Sequence, residues 1–245
     1  MMTRTIHDLA YNEHRDELVV PALYAQAIMT FRGAAEGDEA PIRVIRGPHT
    51  QINGVLMRLS LDPIHEEVYL PIGGEVLVFP SLAEGDVAPI RILKGPDTQL
   101  GASGAYSMAV DPVHDLMIVS GNVNGKGQVL IFNRTAEGNA KPLRAIRGPK
   151  TGLDDANGDR LIALYPPREW MVIGVPGRER NDARSFVGVW SERDNGDVPP
   201  RWTIGGPNGM LRQTRGVALD PKHKTVIVGD KYVNAVMTYY FPEIF

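Results

Sequence analysis

The stretch Arg215-Gly216-Val217-Ala218-Leu219-Asp220-Pro221 is an apolar segment that ends in an Asp-Pro pair, and it recurs along the chain. Residues 59–63 and 108–112 repeat it, and residues 9–12 and 162–166 are degenerate copies. The position of the Asp falls at 12, 62, 111, 165 and 220, so successive copies lie 49 to 55 residues apart. A period of this length indicates an array of similar structural units.

Each unit contains further apolar segments after the Asp-Pro turn, and together they predict four strands per repeat. In the second unit these segments are 68–70, 76–79 and 89–96, and an Ala-Glu-Gly-Asp turn precedes the last of them. Short strands separated by Gly and Pro turns are typical of all-β proteins. Four strands in a repeat of about 50 residues are typical of a propeller blade. We therefore predict an all-β fold, a β-propeller of four-stranded antiparallel blades.

The repeats predict a single propeller domain over residues 1–245. The approximate repeats are 5–53, 54–103, 104–157, 158–212 and 213–245, and the fifth is three-stranded because it stops after its third strand. Two closures remain open. In one, five blades form a complete ring and the apolar faces of the first and fifth blades pack together. In the other, the chain is part of a six-bladed propeller.

The last repeat resembles the NHL type of propeller repeat. The resemblance rests on residues 215–221, on Val226-Ile227-Val228-Gly229-Asp230 and on Asn234. The linkers from Ala35-Glu36-Gly37-Asp38 to Gly47-Pro48-His49-Thr50 are similar to those of bacterial NHL-like and SMP-30-like propellers. The resemblance covers essentially the whole chain. It implies the fold and says little about function, because the matching residues build the blade.

Composition excludes several classes of function. The chain is 43% hydrophobic and 22% charged, as ordinary globular proteins are, and its net charge is −3. The lack of Cys excludes disulfide scaffolds, zinc-thiolate sites and cysteine nucleophiles. The weakly acidic balance argues against nucleic acid as a partner. No segment has the length of a membrane span or the apolar core of a signal peptide. We expect a soluble protein, either cytoplasmic or exported without its leader.

Several repeated residues are interpreted as structural. His65, His114 and His223 each follow the Asp of their repeat by three residues. We assign them to the turn between the first two strands rather than to a metal site, because residues repeated on separate blades lie too far apart to converge on one ion. The aromatic residue that recurs on the third strand, such as Phe79 or Trp190, predicts packing between blades.

Candidate binding residues occupy positions where the repeats differ. The residues four and five places before the Asp should surround the mouth of the central channel, where the first strands begin. Arginine side chains there would suit a carboxylate or phosphate, since the guanidinium presents a fixed fork of N–H donors. We predict an anionic ligand at this mouth. The candidate ligand-binding residues are His7, Asp8, Arg58, Tyr106, Arg160 and Arg215.

The fourth repeat has the longest loop on the same face, residues 175–185. It is polar, basic and interrupted by Gly and Pro. Long insertions on rigid scaffolds often carry function. Arg178, Arg180 and Arg184 are therefore candidate contacts to a partner.

Two classes of function follow from these observations. The first is a non-enzymatic binding module without a cofactor, which presents its basic mouth and top face to a small anionic ligand, a peptide or a protein. The alternative, implied by the resemblance to propeller lactonases and lyases, is a metal-dependent enzyme with Ca²⁺ or Zn²⁺ in the channel. His7 and Asp8 are weak candidates for its metal ligands, and no catalytic residue is assigned. A cation near three arginines is electrostatically unfavourable, so we favour the binding module.

Overall fold

The protein is described by a computed structural model that covers residues 7–54, 58–101, 107–155 and 160–245. These residues form five separate antiparallel sheets, four of four strands and a last one of three. Apart from short 3-10 helices, the described residues contain no helix. In the same residues no helix has the length and hydrophobicity to traverse a membrane. The predicted fold class, an all-β propeller with a three-stranded last repeat, is confirmed.

Each sheet is a meander in which consecutive strands pair, and we call it a blade. Blade one contains β1 (Ala10–Asn12), β2 (Glu17–Ala22), β3 (Ala27–Arg32) and β4 (Arg43–Ile45). Blade two contains β5 (Ser60–Asp62), β6 (Glu67–Ile72), β7 (Glu75–Pro80) and β8 (Arg91–Lys94). Blade three contains β9 (Ser107–Asp111), β10 (Leu116–Val123), β11 (Lys126–Asn133) and β12 (Arg144–Arg147).

Blade four contains β13 (Leu161–Tyr165), β14 (Trp170–Val175), β15 (Phe186–Ser191) and β16 (Trp202–Gly205). Blade five contains β17 (Thr214–Asp220), β18 (Thr225–Asp230) and β19 (Ala235–Tyr240). The 3-10 helices are Leu23–Ala25, Pro48–Thr50, Pro96–Thr98, Pro149–Thr151, Leu153–Asp155, Pro166–Arg168 and Pro242–Ile244.

The core lies between blades. All six residues of β6 are buried, because neighbouring blades cover both faces of this sheet. Hydrophobic clusters join blade one to two, two to three, three to four and four to five. Phe79, Phe132 and Trp190 are fully buried in these clusters, which confirms inter-blade packing for these three, whereas the equivalent Phe31 is half-buried and packs with residues of its own blade. Burying each such side chain contributes about 2–3 kcal/mol before entropy is counted.

The first strand of each blade lies innermost. β1, β5, β9, β13 and β17 follow one another around the centre, each in contact with the next. Because these strands begin at the same face, the residues that precede them converge at one end of the central space. The residues that follow them, in the Asp-Pro turns, lie at the opposite end.

A repeated contact, which we call the rim latch, joins the outer edges of neighbouring blades. Ile45 pairs in parallel with Gly85 of the next blade, Leu93 with Gly138, and Ile146 with Gly196. Among residues 7–54, 58–101, 107–155 and 160–245 there is no fourth pairing of this kind. The latches therefore connect blades one to four in series.

Blade one has one face turned away from blade two, and blade five has one turned away from blade four. These two faces, which we call the outer faces, differ from the other blade faces. No hydrophobic cluster of the described residues joins these two blades. Val236 and Tyr240 on β19 are 74% and 72% exposed, and Leu9 and Tyr11 of blade one are exposed as well. The packing of first blade against fifth that a closed five-bladed ring requires is thus not observed in these residues.

Candidate functional site

A central cavity of about 660 Å³ lies between the inner strands of all five blades. Its wall is largely formed by small and apolar residues of those strands. Four of the predicted site residues, His7, Asp8, Arg58 and Arg215, line it. The structure thus brings these four residues to one cavity, which combines two arginines with one carboxylate.

Two of these residues also connect blade one to blade two. The Arg58 side chain is largely buried, and its guanidinium donates a hydrogen bond to the main-chain carbonyl oxygen of His7. The Asp8 carboxylate accepts a hydrogen bond of 3.2 Å from the main-chain N–H of Leu59. Both side chains thus shape the cavity wall as well as giving it charge.

Arg160 lies apart from the other candidates. Its side chain is only 1% exposed and is not among the residues that line the central cavity. Its Nε and Nη2 donate to the carbonyl oxygen of Leu153 at 3.1 and 2.5 Å, and Nη1 donates to Gly121 at 3.4 Å. The structure gives Arg160 a position between blades three and four. Tyr106, the remaining candidate, lies outside the described residues.

The long loop of blade four is organised by Asp182, a residue that the sequence analysis passed over. Its carboxylate accepts hydrogen bonds from the main-chain N–H groups of Arg178 and Arg184 at 2.7 and 2.9 Å. It also pairs with the Arg184 guanidinium at 2.7 Å. That guanidinium, with the two N–H groups, holds the pKa of Asp182 well below its usual range. Arg178, Arg180 and Arg184 are exposed on this ordered loop, so a partner could reach them.

The repeated histidines occupy the turns, as predicted. Nδ1 of His65, His114 and His223 lies 2.6–2.8 Å from Oδ2 of the Asp three residues earlier. The main-chain N–H of each histidine also donates to the same carboxylate. These turns close the ends of the first strands that face away from the cavity mouth.

One buried carboxylate in this region was not identified from the sequence. Glu192 follows β15 and lies between blades three and four, with its side chain fully buried. Burial, and then the neighbouring Asp111 carboxylate, raises the pKa of Glu192 to about 8. The repeat does show that this position is unusual. Glu192 is the only acidic residue there among blades one to four, since the equivalent residues of blades one to three are Gly33, Ser81 and Arg134.

Comparison with solved structures finds other proteins of similar fold. Hydrazine synthase from Kuenenia stuttgartiensis aligns with a TM-score of 0.63 and 11% identity over 91% of this chain. A nidogen/laminin complex aligns with a TM-score of 0.61 and 13% identity over 96% of this chain and 80% of its own. The propeller domain of Cps50 (Swd1) from Myceliophteria thermophila aligns with a TM-score of 0.57 and 10% identity over 94% of this chain.

These similarities concern the fold. The chain spans 55% of the length of the hydrazine synthase chain and 63% of the Cps50 domain chain. At 10–13% identity the alignment carries no information about the site. No protein-family model and no curated protein sequence matches the chain.

Proposed function

We propose that this chain is a non-enzymatic binding module whose central cavity takes an anionic group. That group would belong to a small ligand, or to the acidic end of a peptide or protein partner. The observation that carries the proposal is the cavity of about 660 Å³, lined at its mouth by His7, Arg58 and Arg215. A cavity of this size is within the range that holds small ligands.

The electrostatics of the cavity support an anion. Two arginines and one carboxylate, Asp8, are among the residues that line the cavity, so their formal charge is positive although the whole chain is slightly acidic. Arginine binds carboxylate and phosphate through paired N–H donors. Arg215 is half-buried, and partial desolvation strengthens such an interaction relative to one at the open surface.

A protein partner is supported by the exposed loop of blade four, with Arg178, Arg180 and Arg184, and by the resemblance to NHL-like propellers. One of the structural neighbours is a complex between two proteins, nidogen and laminin. The metal-dependent, lactonase-like enzyme stays the alternative hypothesis. In the part of the chain that the structure describes, the group of metal-binding side chains with suitable spacing lies elsewhere than the cavity.

The test is a thermal shift and calorimetric titration with inorganic phosphate, citrate and a short peptide that ends in acidic residues. We expect at least one of these anions to raise the melting temperature and to bind. Arg215→Ala should weaken binding by about tenfold or more, the effect of losing one charge-assisted contact. Arg32→Ala is the matched control, because Arg32 pairs with Glu39 on an exposed turn away from the cavity.

Binding that is unchanged in Arg215→Ala, or weakened equally in Arg32→Ala, would show that the cavity is not the anion site. No effect of any of the three anions would contradict the proposal as well.

A further inference from the structure

Glu192 is a buried carboxylate that no described donor satisfies. Its side chain is 0% exposed, and neither Oε1 nor Oε2 has a hydrogen-bond partner in the described residues. Burying a charge without a partner is costly enough that folded proteins supply a compensating cation or proton. The Glu192 carboxylate therefore needs a cation or a proton to neutralise it.

Asp111 and His114 of blade three face Glu192 of blade four. The Asp111 carboxylate is fully buried, and its Oδ2 lies 2.8 Å from Nδ1 of His114. The same Nδ1 lies 3.9 Å from a carboxylate oxygen of Glu192. One nitrogen and two carboxylate oxygens, one atom from each residue, lie within 4.8 Å of one another. This is the spacing of ligand atoms around a single metal ion.

The other charged groups near the cluster already have partners. Glu169 lies 4.0 Å from Nε2 of His114 and forms an ion pair with Arg193. Nε of Arg144 donates to the main-chain carbonyl oxygen of Glu192 at 2.7 Å. The local environment is therefore rich in carboxylate, although the Arg144 charge favours the ionised form of Glu192, and the imidazole of His114 contacts both buried acids.

At the boundary between blades two and three, an arginine side chain lies close to the equivalent buried carboxylate. The main-chain N–H groups of Arg134 and Glu192 donate to the carbonyl oxygens of Asp115 and Glu169, so these two residues occupy equivalent positions. Nη1 of Arg134 lies 2.9 Å from the Glu67 carboxylate and 3.6 Å from the buried carboxylate of Asp62.

At the next boundary the buried Asp is retained as Asp111, but the Arg position holds Glu192. A built-in cation between blades two and three is thus replaced by a second anion between blades three and four.

We propose that Asp111, His114 and Glu192 form a binding site for one divalent transition-metal ion, such as Zn²⁺, between blades three and four. An imidazole nitrogen with two carboxylate oxygens is a ligand set that Zn²⁺ and its neighbours accept. Calcium and magnesium prefer a larger set of oxygen ligands. The His114 side chain is 34% exposed, so the ion has a path from solvent.

The site lies at the opposite end of the inner strands from the cavity mouth, and it is independent of the anion-binding proposal. Its ligands come from two blades, so a bound ion would join them. An ion that binds the folded state only stabilises it in proportion to the logarithm of its concentration over Kd. The ion therefore has a structural role, equivalent to that of the Arg134 guanidinium at the preceding boundary.

The experiment compares wild type, Glu192→Gln and Glu192→Arg after treatment with a chelator. Zn²⁺ is added alone, and binding is followed by native mass spectrometry, calorimetry and thermal unfolding. We expect one Zn²⁺ per wild-type chain and a higher melting temperature. Both variants should bind more than about 100-fold more weakly, because loss of an outer-shell partner alone costs 10–100-fold. Glu192→Arg should fold without metal, since Arg occupies the equivalent position opposite Asp62.

His65→Ala is the matched control, because His65 has the same contact to its Asp, but that Asp, Asp62, pairs with Arg134. It should bind Zn²⁺ as wild type does. The proposal is overturned if wild type takes up no Zn²⁺, or if the two Glu192 variants bind it unchanged. It is also overturned if Ca²⁺ or Mg²⁺ stabilises the protein and Zn²⁺ does not. The wild type could bind none of the three ions while Glu192→Gln has a higher melting temperature than the wild type. That result would show that a proton shared by the two carboxyls neutralises the site.

Discussion

Arg160 shows how a charged residue that looks available to a ligand can instead bind the chain's own backbone. Its guanidinium donates to the carbonyl oxygens of Leu153 and Gly121, and its own carbonyl accepts from the Ser120 hydroxyl at 2.7 Å. Spacing within the repeat predicted its position just before the first strand but not its rotamer, because rotamer choice depends on neighbours from another blade.

Arg160→Ala should therefore destabilise the protein. The substitution removes the donors of two buried carbonyl groups and leaves a space where the side chain was, so we expect a loss of about 2–4 kcal/mol. Urea unfolding measures it. Arg180→Ala, in an exposed loop, is the control and should change the free energy of unfolding by less than about 0.5 kcal/mol. A small effect of Arg160→Ala would return this residue to the list of candidate ligand contacts.

Asp182 predicts a pH dependence in the blade-four loop. Its pKa is lower in the folded protein than in the unfolded chain, so its contribution to stability is complete above the unfolded value, about 4, and is lost as the pH falls below it. Asp182→Asn should thus be less stable than wild type at pH 7, and the difference should narrow towards pH 3. Urea unfolding at both values tests this. Asn181→Ala, in the same exposed loop, removes no ionisable group and is the control, so its difference from wild type should be the same at both pH values.

At the scale of the element, the rim latch explains why Gly-Pro pairs recur after the outer strands. Gly47, Gly95 and Gly148 have φ angles of 125–142°, a region that side chains rarely adopt. After each pair, a main-chain N–H donates to an Asp or Asn of the next blade, as Asp97 does to Asn139 at 2.8 Å. A Cβ on Gly95 would overlap the Asn139 side chain. The glycine is needed for its conformation and for the close approach of the next blade.

Gly95→Ala should cost about 2 kcal/mol or more, because it adds a steric conflict to the conformational strain. Gly85→Ala provides the comparison. Gly85 also has a positive φ, of 79°, but nothing lies within 4 Å of the Cβ that it would gain. Thermal and urea unfolding of both variants should rank Gly95→Ala as the more damaging. Equal losses would mean that strain alone, and not the close approach of the Asn139 side chain, accounts for the glycine.

The sequence predicted features that repeat and are local, and it missed contacts between blades. The strands, the Asp-His turns and the recurring aromatics follow from hydrophobic pattern and turn chemistry, which act over a few residues. The close approach of Asn139 to Gly95 and the cluster of Asp111 with Glu192 join residues of different blades. The sequence shows each of these residues, either in a repeated motif or where the repeat changes. It does not show which residue of one blade contacts which residue of the next, because that depends on how the blades pack side by side.

At the scale of the whole molecule, two kinds of surface are not covered by a neighbouring blade in the described residues. One is the central cavity, and the other is the terminal face of the array, on blade one and on blade five. The cavity collects the variable residues that precede each first strand, and for that reason four of the six predicted binding residues lie at it. The face of β19 shows apolar side chains to solvent, as at Val236.

Two valines of blade five test whether that face is covered in solution. Val228 is buried against blade four, and Val236 is 74% exposed. Val228→Ser should cost about 2–3 kcal/mol through lost burial and a buried hydroxyl, and Val236→Ser less than about 0.5 kcal/mol. Unfolding is measured at two protein concentrations. A large effect of Val236→Ser, or one that depends on concentration, would show that another surface covers β19.

The rim latches also make the resistance to twisting differ along the array of blades. Blades one to four are joined at their periphery as well as near the axis, so a torque about the central axis is shared between two radii. Within residues 160–245 the boundary between blades four and five has no such main-chain latch, and side-chain packing takes its place, with Trp202 of the outer strand against Phe241. Under a twisting load we therefore expect the fifth blade to shift first, because no main-chain latch of the described residues holds its rim.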